Sequence, residues 1–414
     1  MDVLSEPGAG ETALSHSPWE VFQVALGLGL TSFGGPIAHL GYFERVYVRK
    51  RSWLSEDEYA GIVALCQLIP GPASSQVGFL IGLKRGGWAG AAAAWLGFTL
   101  PSVLLMFGFA LLAPRLTGPA AQAALHGLKL VAVAVVAQAV WSMARRLTPD
   151  GPRAVIGVGA AVILLLAGTP TAQVIALALG AILGMVVCRN LSEPQAAPNL
   201  PVGPRTGIAA LAVFLTLLFA LPLAARGQGH TPLALAAVFY RAGALVFGGG
   251  QVILPLLRDA LVPAGWLGDG PFLAGYGAAL AVPGPLSSFA AYLGAVVAPA
   301  GGGLAGMAAW SALALGFIYL PGLLIAVAGA PVWTWLGRHP PARGALAGVN
   351  AAVVGVLAAA LYNPIWKTSI ATPLDVAIAI VGFFLLERFR APPILVVGLC
   401  VVASTIAGIF DLPR

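Results

Sequence analysis

Long apolar runs separated by short polar punctuation set the pattern of this chain. Runs over 20–42, 59–82, 87–112, 120–142, 153–168 and 171–188 precede a polar, proline-containing stretch at 189–206. Further runs follow at 207–225, 233–253, 272–297, 303–330, 343–363, 373–387 and 391–410. Most are long enough to cross a hydrocarbon core of roughly 30 Å as a helix. They are rich in Ala, Leu, Val and Gly and lack the alternation of barrel strands, so of the two structures lipid tolerates, helices are the one expected. The expected fold is all-α, a polytopic membrane protein with about 12–13 helical spans. Runs 153–168 and 373–387 are short for a full crossing, which leaves broken or re-entrant helices open.

Self-similarity divides the chain in two. Phe33-Gly34-Gly35-Pro36 returns as Phe247-Gly248-Gly249-Gly250, and Trp53-Leu54 as Trp266-Leu267. Pro70-Gly71-Pro72-Ala73-Ser74-Ser75 returns as Pro283-Gly284-Pro285-Leu286-Ser287-Ser288. Leu100-Pro101 then matches Leu320-Pro321, and Leu125-His126-Gly127 matches Leu346-Ala347-Gly348. Ordered matches at a slowly growing offset define a duplication. The expected organisation is an N-terminal tail (1–18), a first repeat (19–188), a linker with an extra helix (189–232) and a second repeat (233–410). With six spans per half, the extra helix turns the second repeat over, giving inverted-topology halves.

Composition agrees with a lipid setting. Hydrophobic residues make up 59% and charged residues 9% of the chain, and mean hydropathy is +0.91, whereas a soluble domain carries roughly a quarter charged residues. The net charge of +7 comes from Lys and Arg scattered through short loops, which reads as topology-setting charge rather than a nucleic-acid surface. The cluster Arg45, Arg49, Lys50 and Arg51 is either a cytoplasmic anchor or an attractor of anions. The basic bias toward the N-terminal side is weak if 20–42 crosses the membrane. It becomes strong if that run doubles back at Gly34-Gly35-Pro36, and either way it favours a cytoplasmic N-terminus. Residues 1–18 carry Asp2, Glu6 and Glu11 but no Lys or Arg, unlike a cleaved signal peptide. Cys66, Cys188 and Cys400 show no paired spacing, and neither a disulfide framework nor a metal or other cofactor is expected.

The candidate chemistry lies at the helix breaks. Two prolines flanking a glycine interrupt a helix, and in lipid the freed amides must face protein or a polar cavity. A helix restarting at Ala73 or Leu286 would aim unpaired N–H groups and a positive dipole end inward, an arrangement suited to anions. Ser74, Ser75, Ser287 and Ser288 would add hydroxyl donors in the first turn. The candidate substrate site therefore comprises Pro70, Gly71, Pro72, Ser74, Ser75 and Gln76 with Pro283, Gly284, Pro285, Ser287 and Ser288. Gly34, Gly35, Gly248, Gly249, Gly250 and Gln251 form the second kind of break. Lys129, Arg241 and Asn350, the repeat mate of Lys129, are candidates within apolar runs. Such a cation either balances substrate charge or snorkels to an interface. His39, Glu44 and Asp259 flank the breaks and are candidate proton carriers. No HExxH, P-loop or Gly-x-Ser-x-Gly pattern is present, so no catalytic constellation is expected.

Phe33-Gly34-Gly35-Pro36, the charged segment through Trp53-Leu54, and Pro70-Gly71-Pro72 resemble the N-terminal domain of the chromate ion transporter family. Phe247-Gly248-Gly249-Gly250 with Leu254-Pro255-Leu256, Pro283-Gly284-Pro285, Val349-Asn350-Ala351-Ala352 and Leu361-Tyr362-Asn363-Pro364 resemble its C-terminal domain. The resemblance covers about residues 20–410 and matches the long, two-domain form. It implies a secondary transporter exporting chromate, or a sulfate-like tetrahedral dianion, across a bacterial inner membrane with protons as coupling ion, and chromate resistance as the outcome. A passive oxyanion channel and a sulfate or molybdate uptake carrier are the alternatives, and a homodimer is left open.

Overall fold

The computed structural model describes residues 17–33, 35–115, 118–167, 170–188, 200–247 and 250–409. Gly34, Gly248 and Gly249 and most of the inter-repeat linker lie outside the described residues. Within them the chain is helical throughout. The first repeat runs α1 (Pro18–Thr31), α2 (Gly35–Phe43), α3 (Glu56–Leu68), α4 (Ala73–Leu112), α5 (Pro119–Leu147), α6 (Gly151–Ala167) and α7 (Pro170–Val187). α8 (Pro204–Ala224) links the repeats. The second repeat opens with α9 (Pro232–Ala244), α10 (Ile253–Leu261), α11 (Asp269–Ala281) and α12 (Phe289–Val296). It closes with α13 (Gly303–Arg338), α14 (Pro340–Ala360), the single turn α15 (Lys367–Ser369), α16 (Pro373–Arg388) and α17 (Pro393–Ile409). Five stretches are long and apolar enough to cross a membrane: Ala73–Arg115, Pro119–Leu147, Pro204–Ala224, Ala300–Trp333 and Pro340–Ser369.

Four of the apolar runs are pairs of short helices meeting at a break. α1 and α2 double back, since the π-helical turn Glu44–Lys50 that extends α2 returns Arg51 to within 3.0 Å of Glu20. α3 and the first arm of α4 also form a hairpin, closed at its base by the Glu58–Lys84 ion pair and by Arg85 stacked 4.9 Å from the Trp53 ring centroid. Its tip is Pro70-Gly71-Pro72. α4 itself turns back at Gly86-Gly87, where both residues leave helical geometry, and Gly82 rests directly on the Gly90 backbone and Ala94. The second repeat does likewise. The His230 ring lies 4.3 Å from that of Trp266, closing α9 onto the end of α10, and the Tyr292 hydroxyl donates to the Pro271 carbonyl at 2.9 Å, closing α11 onto α12. The doubling-back left open for 20–42 is thus the arrangement found.

The remaining helices exchange partners between repeats. α5 packs on α16 and α17 of the second repeat, and α14 packs on α6 and α7 of the first. Small residues permit both approaches, as is usual between helices in lipid. Gly127 meets the Cys400–Val401 backbone, and its repeat mate Gly348 meets Gly180 and Gly184. The outer faces are apolar and uncovered, with Val155 71%, Leu166 83% and Ile208 68% exposed, as expected where lipid is the solvent. The three cysteines are buried and free.

Candidate functional site

Each Pro-Gly-Pro tip is seated on the other repeat. The Gly71 amide donates to the Val246 carbonyl at 2.6 Å, and the Gly284 amide donates to the Ser32 carbonyl at 2.8 Å. Gly71 corresponds to Gly284 in the duplication, and Ser32 to Val246. One contact is therefore made twice with the halves exchanged, the signature of a two-fold relation. The helices beneath the tips obey the same rule. Gly71 and Pro72 lie against Gly322 of α13, while Gly284 lies against Ser102 of α4, and Ser102 is the repeat mate of Gly322. Gln76 fastens the first tip, its Nε2 donating to the carbonyls of Pro70 and Gly322, both at 2.8 Å.

Both tips release helix starts that leave donors unused. Pro72 precedes α4 and offers no side-chain cap. The N–H groups of Ala73, Ser74 and Ser75, like those of Leu286 and Ser287, have no acceptor among the described residues. Such amides attract anions through hydrogen bonding and the helix dipole together. Hydroxyls gather around them: Ser74, Ser75, Ser287 and Ser288 are all no more than 3% exposed. The Tyr319 hydroxyl of α13 faces those of Ser75, Thr99 and Ser287, but its own oxygen and those of Ser75, Thr99 and Ser32 lack a hydrogen-bond partner. His39 is 1% exposed. Its Nδ1 stands 3.3 Å from Ser74 Oγ, and its Nε2 is likewise unpartnered. The Trp95 ring lies 5.5 Å from that of Tyr319, and its indole N–H is also unused. Buried polar groups in proteins are normally paired, so this concentration of free donors calls for an acceptor.

A cavity of about 500 Å³ leads to the tips. Its floor is formed by Gly71, Ala73, Gly284 and Leu286, and one wall by α5 from Val135 to Leu147. The buried serines follow Ala73 and Leu286 in the chain and do not themselves line the cavity. Gly35, with φ +79°, and Gln251 also line the cavity. They touch across the repeats, for a Cβ on Gly35 would fall 3.4 Å from Gln251 Nε2. Gly250 opens a short 3-10 turn just before Gln251.

Other residues singled out in the sequence stand elsewhere. Lys129 lies beside Gly270 at the start of α11, a helix length from the Pro-Gly-Pro tip that ends it. Arg241 is exposed on α9, and Asn350 is buried in α14 with its side-chain carbonyl unpartnered. Glu44 pairs with Arg49 at 2.6 Å. Asp259 shares Arg258 with Asp269, at 3.4 and 2.9 Å respectively. Both carboxylates sit at hairpin bases, away from the tips. Thr99, Ser102 and Tyr319, by contrast, join the site without having stood out in the sequence. They flank the repeated Leu-Pro pairs at 100–101 and 320–321, which was the available signal.

The fold and site define a multi-pass membrane protein of two related halves whose broken helices meet at a donor-rich centre. A family model described as "Chromate transporter" matches residues 19–185 and 233–405, and the chain belongs to that family. A "Chromate transport protein" of Cupriavidus metallidurans is 28% identical over 95% of this chain and 94% of the relative. One of Pseudomonas aeruginosa is 26% identical over 95% and 92%, and a "Probable chromate transport protein" of Synechococcus elongatus is 28% identical over 84% of each. No solved structure matches the chain.

Proposed function

We propose that the protein is a secondary transporter that exports chromate, or a sulfate-like tetrahedral dianion, across the bacterial inner membrane with protons as the coupling ion. The observation that carries this reading is the pair of Pro-Gly-Pro tips, each presenting free amides and buried serines, with the Ser75, Thr99 and Tyr319 hydroxyls unpartnered beside them. Several weak donors aimed at one point suit a tetrahedral oxyanion, whose oxygens accept from all sides. The names of the relatives support chromate as the cargo.

A carrier is favoured over an open channel because Ser74, Ser75, Ser287 and Ser288 are buried and none of them lines the cavity. The halves are proposed to be inverted. The α1–α2 and α3–α4 hairpins have their bases at one end, with Arg51, Lys84 and Arg85. Between them and the hairpins of the second repeat the chain traverses five times, through the second arm of α4, then α5, α6, α7 and α8. An odd number of crossings delivers the second pair from the opposite face. That assignment gathers Arg145, Arg146, Arg388 and Arg390 with the Arg45–Arg51 cluster on the N-terminal side, which supports a cytoplasmic N-terminus. His39, hydrogen-bonded to Ser74, is the proton carrier best placed to sense the anion.

Chromate uptake into everted vesicles tests the reading. Saturable accumulation against a gradient is expected, and it should collapse when the pH difference is abolished. Flux that only dissipates gradients would indicate a channel, and accumulation indifferent to pH would remove proton coupling.

A further inference from the structure

Among the described residues, only two side chains lining the cavity carry full charge, and both are arginines: Arg146, at the end of α5, and Arg390, between α16 and α17. Among the described residues no carboxylate lines it and neither arginine makes an ion pair. Glu387, beside Leu386 of the lining, accepts from Gln138 Nε2 at 3.4 Å and lies 4.0 Å from Arg145. From Val135 beside the tips to Arg146, α5 rises about 16 Å. Arg146 thus stands at the outer end of the wall, with Gln138 and Ser142 between it and the floor.

The duplication supplies the second half of the inference. At the offset that relates Gly127 to Gly348, Arg146 corresponds to Lys367, an exposed cation that opens α15 beyond the end of α14 and rests 4.9 Å over the Tyr362 ring. The two ends are not in the same state. α11 lies along α5, whereas its repeat mate α3 makes no comparable contact with α14 among the described residues. The hairpins of the second repeat are packed on the exchanged bundle, and those of the first stand off it by the width of the cavity.

We propose that Arg146 is an outer capture site for the tetrahedral dianion on the face that is open here, and that Lys367 is its counterpart on the opposite face in a second state with the hairpins' roles exchanged. The inference rests on the carrier reading above. Cations in a vestibule whose described lining holds no carboxylate raise the local concentration of anions and speed their entry. An exposed charge acts this way only within the Debye length, about 10 Å at 0.1 M salt, so the effect belongs to one face at a time.

The test is chromate transport, with sulfate as competitor, in right-side-out and everted vesicles carrying full-length protein. Arg146→Gln is expected to raise the half-saturating chromate concentration about tenfold from the Arg146 face alone, and Arg146→Lys to restore most of it. Lys367→Gln is expected to act from the other face alone. Arg145→Gln is the control, since Arg145 neighbours Arg146 but lies outside the cavity, and it should leave both faces unchanged. The salt dependence of half-saturation should flatten in Arg146→Gln on its own face. Equal effects on both faces, no effect, or an equal effect from Arg145→Gln would overturn the proposal. If Arg146→Gln fails to reach the membrane, salt-independent half-saturation of the wild-type protein from that face overturns it instead. Loss of flux in Ser75→Ala with Ser287→Ala, alongside normal Arg146→Gln, would sink the outer site and leave the buried one. Normal flux in all of these variants would sink the buried site as well.

Discussion

Gly71→Ala adds a single methyl group at the point where the repeats grip each other. Gly71 has φ +125°, a conformation costing roughly 1–3 kcal/mol for a residue with a Cβ. The new carbon would lie 2.7 Å from Gly322 Cα and 2.5 Å from Gln76 Nε2. The first contact is with backbone and cannot yield cheaply, and overpacking of this kind costs about 1–3 kcal/mol. The second could be relieved by moving the glutamine, which then surrenders its bonds to the Pro70 and Gly322 carbonyls, worth about 1 kcal/mol each. The expected destabilisation is about 4–8 kcal/mol. Gly87→Ala is the matched control: its backbone (φ +60°, ψ −156°) is likewise one that favours glycine, but nothing lies within 4 Å of the new carbon, so only the backbone cost of about 1–3 kcal/mol is expected. Unfolding of the purified protein in detergent, followed thermally for both variants, separates the two. Equal losses, or a Gly71→Ala protein as stable as wild type, would refute the claim that this tip is locked into α13.

Tyr319→Phe should fold normally and lose one donor to the anion. A hydrogen bond to a charged group is worth about 1.5–3 kcal/mol, so chromate-dependent stabilisation should weaken at least tenfold in concentration, read by thermal shift. Gly348→Leu should prevent α14 from seating on Gly180 and Gly184 and sharply reduce folded protein, whereas leucine at Gly159, which faces open space, should be tolerated; yield of monodisperse protein reports both. Glu58→Gln removes a half-exposed ion pair with Lys84, and the cost should stay below about 1 kcal/mol, measured by the same unfolding assay.

How much of this was legible in the sequence depends on the range of the interaction. Pro70-Gly71-Pro72 and Pro283-Gly284-Pro285 announce broken helices because proline removes a donor wherever it stands, and the duplication is visible as ordered matches. Hydropathy cannot distinguish a run that crosses from one that doubles back, since both are apolar throughout. Only pairs such as Glu20 with Arg51 and Glu58 with Lys84 reveal the hairpins, and these are surface contacts set by the fold. The exchange between repeats was out of reach for the same reason: Gly71 finds Val246, and Gln76 finds Gly322, across separations no local pattern encodes. Tyr319 and Thr99 pass for ordinary residues of apolar helices until packing leaves their hydroxyls without partners. Charge in an apolar run, conversely, drew attention to Lys129 and Arg241, which stand against the start of α11 and on an exposed face.

The central claim is that the two Pro-Gly-Pro helix starts jointly hold a tetrahedral dianion. Its most direct test is anion-dependent thermal stabilisation of the purified protein across chromate, sulfate, molybdate and phosphate, for wild type and for Ser75→Ala combined with Ser287→Ala. Saturable stabilisation of the wild type by chromate, lost in the double variant while its unliganded stability stays close to wild type, is the predicted result. Equal stabilisation of both proteins would place the anion elsewhere and contradict the account.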